Sequence, residues 1–530
     1  MRKFERVALV NSSTILSDRA GILGRIDWQA RAAALPRWWP YALIALVVFL
    51  IRLPTFGNPM LEFDEQLYLL VGDRLLHGQL PYVDLWDRKP IGLFVFYALI
   101  RMLGGSGVIQ YQIVAAICVT ITASFIWTIA RRSAGMMPAF IVALSYVLFI
   151  NVLAGTGGQA SVMYNPFTAC AAWAAFRSND TQSPARIFGL ALLSMAMMGI
   201  AIQFKYTPMV EGACFGCWFL LRFWQVRLPV LKIAAAACAM VALAVLPTLA
   251  AIGYYAWIGH LDAMVQASFV SVFHRAPFPA ETHWKQLRFV IAKPIGLIAA
   301  TPIALGLHWL RRKDGPPGDF WLLTGWTISA VVAFAMLGDF YDFYFITVIL
   351  PLCIVVAPLV RPGRIGFLVV CMLILWPAIL TPRYIFRTGP YLQAEAALTA
   401  AVSPYLHHRC LYIYDGPTVL YLATNACAPT RFIYPDHLNN PTEAPALGVD
   451  PVAEMTRVLA SRPGAIITAD RPVIPRVNPA TQVLVRDALA RDYVLVARVI
   501  ANDRVIYAWA LKSLHPAPST IDDPRAAIPE

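Results

Sequence analysis

The sequence predicts a polytopic α-helical membrane protein of about eleven spans, with surface-lying helices on its first external loop and a soluble α/β part near its C-terminal end. Three observations carry this. Of the 530 residues, 59% are hydrophobic and only 14% charged, where an average soluble chain has about a quarter charged. Apolar runs recur, among them Tyr41–Ile51, Ile233–Ala250 and Val348–Val360. Beyond about residue 383 the apolar runs stop, and short strand-like and helix-like stretches alternate.

A helix needs about 20 residues to span a bilayer. Spans are expected over 38–56, 108–130, 136–155, 159–176, 187–204, 207–224, 230–252, 288–310, 320–338, 343–360 and 364–381. Residues 1–37 form a polar, basic segment with Arg2, Lys3, Arg6, Arg19, Arg25, Arg31 and Arg37, and no cleavable signal peptide is read there. By the positive-inside rule this places the N-terminus in the cytoplasm. Five later basic clusters then fall on the same side: Arg131–Arg132, Arg177 with Arg186, Arg222 with Arg227 and Lys232, Arg311–Lys313, and Arg361 with Arg364. The formal net charge of +13 fits cytoplasmic basic residues beside anionic lipid and gives no reason to expect a nucleic-acid partner.

That topology puts residues 57–107 outside. The stretch Ile91–Leu103 is too short to span and reads as an interfacial helix. Residues 64–77 read as a second one, with Leu67, Leu70, Val71 and Leu75 at helical spacing and Gly78 then Pro81 ending it. This loop opens with Asp64 and Glu65 and carries Asp87, Arg88 and Lys89 before Pro90. Charges so dense beside a membrane are costly unless they line a wet cavity or pair with each other. Residues 253–287 form another outer loop, with His260, Asp262, His274, Arg275, Glu281, His283 and Lys285.

In the C-terminal part, strands are expected at 411–414, 431–434, 465–468, 494–500 and 505–511, and helices near 451–461 and 481–492. Residues 383–513 form this α/β domain, and 514–530, rich in proline, read as a disordered tail. Seven of nine Cys lie in apolar segments and read as core residues. Cys410 and Cys427 form a disulfide if this part is periplasmic and stay free otherwise.

The order of elements resembles the GT-C class of membrane glycosyltransferases that use polyprenyl-phosphate sugars, specifically the protein O-mannosyltransferases and the lipid A aminoarabinose transferase. The residues that carry it are Asp64–Glu65 after the first span, then Gly78, Pro81 and Tyr82, then Asp87, Lys89 and Pro90. Weaker matches are the segment around Lys205, the stretch Gly253–Met264 and Asp339–Phe345. The resemblance implies a GT-C fold over 38–382, located in a bacterial inner membrane with the C-terminal domain in the periplasm. It implies inverting transfer of a hexosyl or pentosyl unit from a polyprenyl-phosphate carrier to an extracytoplasmic lipid, glycan or protein. It places the catalytic carboxylate at Asp64.

The chemistry is compatible. An acceptor hydroxyl must lose its proton as it attacks, which a carboxylate accepts, and the leaving phosphate needs cations beside it. Lys89, Arg88 and Lys205 are the candidates for phosphate, and Glu65, Asp87, Tyr82 and Asp342 for donor or acceptor contacts. Each has a structural alternative. Asp64 would cap a helix, Glu65 would bind a neighbouring Arg, Arg88 would pair with Asp84 or Asp87, and Tyr82 and Trp86 would anchor at the membrane interface. Asn165 stands where a second loop acid is found in many bacterial relatives, and His274 and His283 are not at a metal-ligand spacing. No metal and no cofactor is therefore assigned. The alternative function is a lipid or solute transporter or flippase, although no internally repeated halves are visible.

Overall fold

A computed structural model describes residues 38–313, 318–336, 338–386, 388–473, 476–501 and 503–517, together with the strand at 521–522. The basic N-terminal cluster and most of the expected tail lie outside the described residues. Contacts divide the chain into residues 1–43, of which the described part is the start of the first helix, and residues 44–530, which pack as one compact unit.

Each range expected to span contains a helix. The first is α1 (Trp39–Arg52), and the last lies within the helical run Arg364–Tyr405. Among the described residues five helices are long and apolar enough to cross a membrane, or six if the pair Ala280–Ala292 and Ile295–Leu310, bent by 73°, counts as one. The other ranges are short or polar. Met136–Val152 and Asp319–Ala335 have 17 residues each, a rise of about 26 Å against a core of about 30 Å. Ala160–Ser178 and Pro208–Gln225 bury Asn165, Glu211 and Arg222.

The connections between these helices alternate in character. Every second one is basic, and three of these are tied together by ion pairs: Arg132 lies 2.7 Å from Asp180 and 2.8 Å from Asp319, and Arg177 lies 2.9 Å from Asp180. The intervening connections hold the candidate site.

The first of these holds α2 (Phe63–Leu76) and α3 (Ile91–Arg101). Their packing rests on Gly72, where a Cβ would come within 2.8 Å of the backbone of Tyr97 and Ala98. α2 ends as expected: Gly78 takes φ +84°, its N–H bonds Leu75 O, and the Gln79 N–H bonds Arg74 O, which satisfies the last carbonyls of the helix. α2, expected to lie on the membrane surface, is enclosed by protein on most of its length. Residues Glu65–Asp73 are all buried, because α3 covers one side and the C-terminal part covers another.

That part holds a five-stranded mixed sheet in the order β1-β2-β4-β3-β5. Its strands are β1 (Leu411–Ile413), β2 (Ala465–Ala469), β3 (Tyr493–Ala501), β4 (Arg504–Leu511) and β5 (Ile521–Asp522). Helices Pro451–Ala460 and Pro479–Asp492 begin where Asp450 and Asn478 accept backbone N–H groups. Cys410 and Cys427 form a disulfide. The expected strand at 431–434 is absent. That segment is an irregular connection leading into a short helix, Pro435–Leu438, and its backbone pairs with the first loop through Trp86 N–H to Arg431 O at 2.9 Å. Within the expected tail, Ile521–Asp522 pair in parallel with β3.

Contacts draw no boundary at 383. The Arg74 guanidinium donates to Ala426 O at 2.9 Å, and Gln66 Oε1 accepts from Val419 N–H at 3.2 Å. The C-terminal part is therefore seated directly on α2.

Candidate active site

A cavity of about 550 Å³ opens between the first loop, the later connections at the same helix ends and the C-terminal part. Of the residues picked from the sequence, Asp64, Asp87, Arg88, Lys89 and Lys205 line it.

Asp64 is the second residue of α2. The N-cap position belongs to Glu62, so Asp64 is not the cap. Its carboxylate gains from the helix N-terminus and accepts two phenol hydrogen bonds, from Tyr68 at 3.2 Å on Oδ2 and from Tyr434 at 3.0 Å on Oδ1. Asp87 accepts the Lys89 backbone N–H at 2.7 Å and lies 3.7 Å from its ammonium. Lys89 Nζ sits 5.3 Å from the centre of the Tyr68 ring, which places it beside Asp64. Lys205 Nζ sits 3.4 Å from the centre of the Tyr344 ring. Burial, then the neighbouring Lys89, pushes the Lys205 amine well below its ordinary value, against the pull of Asp64 and Asp339.

Three predicted site residues lie elsewhere. Glu65 turns away from Asp64, as a helical step of about 100° requires, and is fully buried. A Cβ on Gly157 would overlap its Oε1. The nearby Arg52 guanidinium donates to Thr156 O at 2.9 Å. Burial raises the Glu65 carboxyl to about 8, with Asp64 adding to the rise. Glu65 belongs to the packing under the loop at 155–158 and does not line this cavity. Tyr82 is fully buried, with φ +70°, and its hydroxyl donates to Lys89 O at 2.8 Å. It shapes the loop that carries Lys89. Asp342 lies 2.7 Å from Lys293 Nζ, which also donates to Val152 O. This pair staples the bend between Ala280–Ala292 and Ile295–Leu310. Trp86 is not an interface anchor either, since it is buried against Phe432 and His437.

The structure adds residues that sequence reasoning missed. Arg88 pairs with neither Asp84 nor Asp87 but with buried Glu443, 355 residues away. Arg275 lies 2.7 Å from Glu443 Oε1 and also pairs with Asp339. Burial would raise the Glu443 carboxyl, but Arg88 and Arg275 outweigh it and hold it below its ordinary value. Asp436 is raised to about 7 by burial and then by Glu443. His437 is pushed down to about 3 by burial, so its ring is neutral. Glu62 is raised well above its ordinary value by burial and by Glu65, Asp342 and Asp64. The raised Glu62 and Asp436 carboxyls present less negative charge to an entering anion than ordinary carboxylates would. Glu62 lies two residues before Asp64 at the cap of α2, whereas Asp436, His437 and Glu443 are single polar positions of the C-terminal part that no spacing in the sequence ties to Asp64.

His283 lines the cavity and His274 is exposed. Among the described residues no group of three or more His, Cys, Asp or Glu is placed to hold a metal ion.

The arrangement is thus a carboxylate flanked by phenols, with two amines and two guanidiniums on the same walls. It suits proton acceptance beside an anion. Residues 88–251 match the family model described as dolichyl-phosphate-mannose-protein mannosyltransferase. That segment includes Arg88, Lys89 and Lys205 and stops short of Asp64. No curated protein matches the chain. Among solved structures, ArnT from Cupriavidus metallidurans bound to undecaprenyl phosphate is similar at TM-score 0.58 and 15% identity, over 89% of this chain and 98% of that one. The same protein in its apo state gives 0.56 and 15%, over 90% and 98%. The Archaeoglobus fulgidus oligosaccharyltransferase in the apo form gives 0.51 and 11%, over 82% and 70%. The chain therefore has the fold of the GT-C membrane glycosyltransferases, and its residues 88–251 carry the sequence pattern of the dolichyl-phosphate-mannose-protein mannosyltransferase family.

Proposed function

We propose that this protein is an inverting glycosyltransferase that moves a sugar from a polyprenyl-phosphate carrier to an extracytoplasmic acceptor at the outer face of a bacterial inner membrane. The observation that carries the reading is the placement of Asp64 on one cavity with Lys89, Lys205, Arg88 and Arg275. A similar fold has been solved with undecaprenyl phosphate bound, which supports the carrier class. The basic connections at the opposite helix ends support a cytoplasmic N-terminus.

In this mechanism Asp64 takes the proton of the acceptor hydroxyl as its oxygen attacks the anomeric carbon from the face opposite the phosphate. The bond between that carbon and the phosphate oxygen breaks, and its electron pair leaves with the polyprenyl phosphate. Lys89 and Lys205 stabilise the growing negative charge. Burial lowers the Lys205 amine, and an arriving phosphate would favour its charged form. Asp87 orients Lys89, and Tyr82 holds the backbone beneath it.

The test uses purified protein with lipid-linked sugars extracted from membranes. The expected result is loss of sugar from the carrier, with free polyprenyl phosphate released. Passage of intact lipid-linked sugar across proteoliposomes, with the carrier bond unbroken and no transfer, would instead favour a flippase and overturn the proposal.

A further inference from the structure

We propose that Tyr434, contributed by the C-terminal part, is a positioning residue that holds Asp64 ionised and aimed for proton transfer, so that the catalytic base is completed by a segment some 370 residues away in the chain. This deepens the glycosyltransferase reading and rests on it.

Both carboxylate oxygens of Asp64 are engaged by phenols, Tyr68 from its own helix and Tyr434 from across the interface. A hydrogen bond donated to a carboxylate favours the charged form and fixes its orientation. The Tyr68 bond arises within one helix, four residues on, and forms wherever α2 forms. The Tyr434 bond exists only when the C-terminal part is seated.

The segment bearing Tyr434 is fixed on both sides. Trp86 N–H bonds Arg431 O at 2.9 Å, the Thr430 hydroxyl accepts the Phe432 N–H at 3.2 Å, and the Tyr434 and His437 rings lie 5.5 Å apart. Burial, with Asp64 and Asp436 adding to it, raises the Tyr434 phenol well above its ordinary value, so it stays a donor. The other titratable groups around Asp64 are Glu62 and Glu65 on its own segment, Tyr68 one helical turn on, Lys89 over the Tyr68 ring, Tyr97 of α3, Lys205 and Tyr344. Burial raises both carboxyls, which lessens their opposition to a further negative charge, while Lys89, the two phenol donors and Lys205 when protonated favour one.

The experiment uses the full chain in nanodiscs with the extracted lipid-linked donor pool. Tyr434→Phe removes one oxygen and keeps the ring. The acid limb of the pH profile for donor turnover is expected to move up by about one unit, the scale of one hydrogen bond to a carboxylate. Placing 3-fluorotyrosine at Tyr434, a stronger donor of nearly equal size, moves the limb down and covers the case of a poorly folded Phe variant. Infrared difference spectra, with the Asp64 band assigned by its loss in Asp64→Asn, show the carboxylate form persisting to correspondingly higher or lower pH. A limb and a band that stay at their wild-type pH in both variants overturn the role of Tyr434. Full turnover in Asp64→Asn overturns Asp64 as the base, and the absence of any donor turnover in the wild-type chain overturns the glycosyltransferase reading itself; both are separate from the outcome for Tyr434.

Discussion

Arg88 and Glu443 meet as an ion pair, Nη1 lying 3.3 Å from Oε1, and thereby join the loop after the first helix to the C-terminal part. Glu443 also receives Arg275 from a third connection. One buried carboxylate thus fixes two of the four basic groups on the cavity wall.

Removing that carboxylate should be costly. Glu443→Gln leaves Arg88 without its counter-charge and Arg275 with Asp339 alone, and breaking a buried pair costs about 3–5 kcal/mol. The loss is read as a lower Tm in detergent. Because Glu443 is held below its ordinary value, it contributes stability that is full above the ordinary glutamate range, about pH 4.5, and is lost as pH falls through its lower folded value. Wild-type Tm should therefore drop on acidification through that window, and the Gln variant should show a smaller drop.

The disulfide makes an independent prediction. Cys410 and Cys427 are 17 residues apart, and closing a loop of that size stabilises by about 3 kcal/mol. Reductant, or Cys410→Ser, should lower the unfolding temperature of the C-terminal part by a similar amount in each case, with no further loss when the two are combined.

The fold could be read from the sequence because burial in lipid leaves long apolar runs, and all eleven expected ranges hold helices. The surface-lying reading of α2 did not foresee its enclosure by protein, for a specific reason. Leu67, Leu70, Val71 and Leu75 mark one apolar face, but Gln66 and Asp73 on other faces are also buried, through hydrogen bonds to Val419 N–H and to Arg101. Polar residues paired across an interface look like solvated ones in a sequence. The same applies to the site. Asp64, Lys89 and Lys205 stood out because charges beside a span are rare. Tyr434, Asp436 and Glu443 lie in a segment of ordinary polar composition, and only tertiary packing brings them to Asp64. Glu65 and Asp342 were equally conspicuous charges, yet their neighbours, Gly157 and Lys293, make them structural.

The amines should separate binding from folding. Lys89→Ala removes a charge that lies 3.7 Å from Asp87 and is part-exposed on the cavity, so stability should change little. Binding of polyprenyl phosphate should weaken by about tenfold or more, the scale of a hydrogen bond to a charged group. Lys205→Met should weaken it similarly, and it should also remove any component of binding that strengthens as pH falls through the lowered lysine value. Titration with undecaprenyl phosphate measures both.

Donor turnover by Asp64→Asn, compared with wild type at equal carrier binding, tests the base directly. Asn keeps the size of the side chain and can still accept one of the two phenol hydrogen bonds, but it cannot take a proton. If Asp64 is the base, turnover falls by about 10²–10⁴-fold while the affinity for undecaprenyl phosphate stays near wild type. Turnover within a few-fold of wild type, in protein that binds the carrier normally, would contradict it.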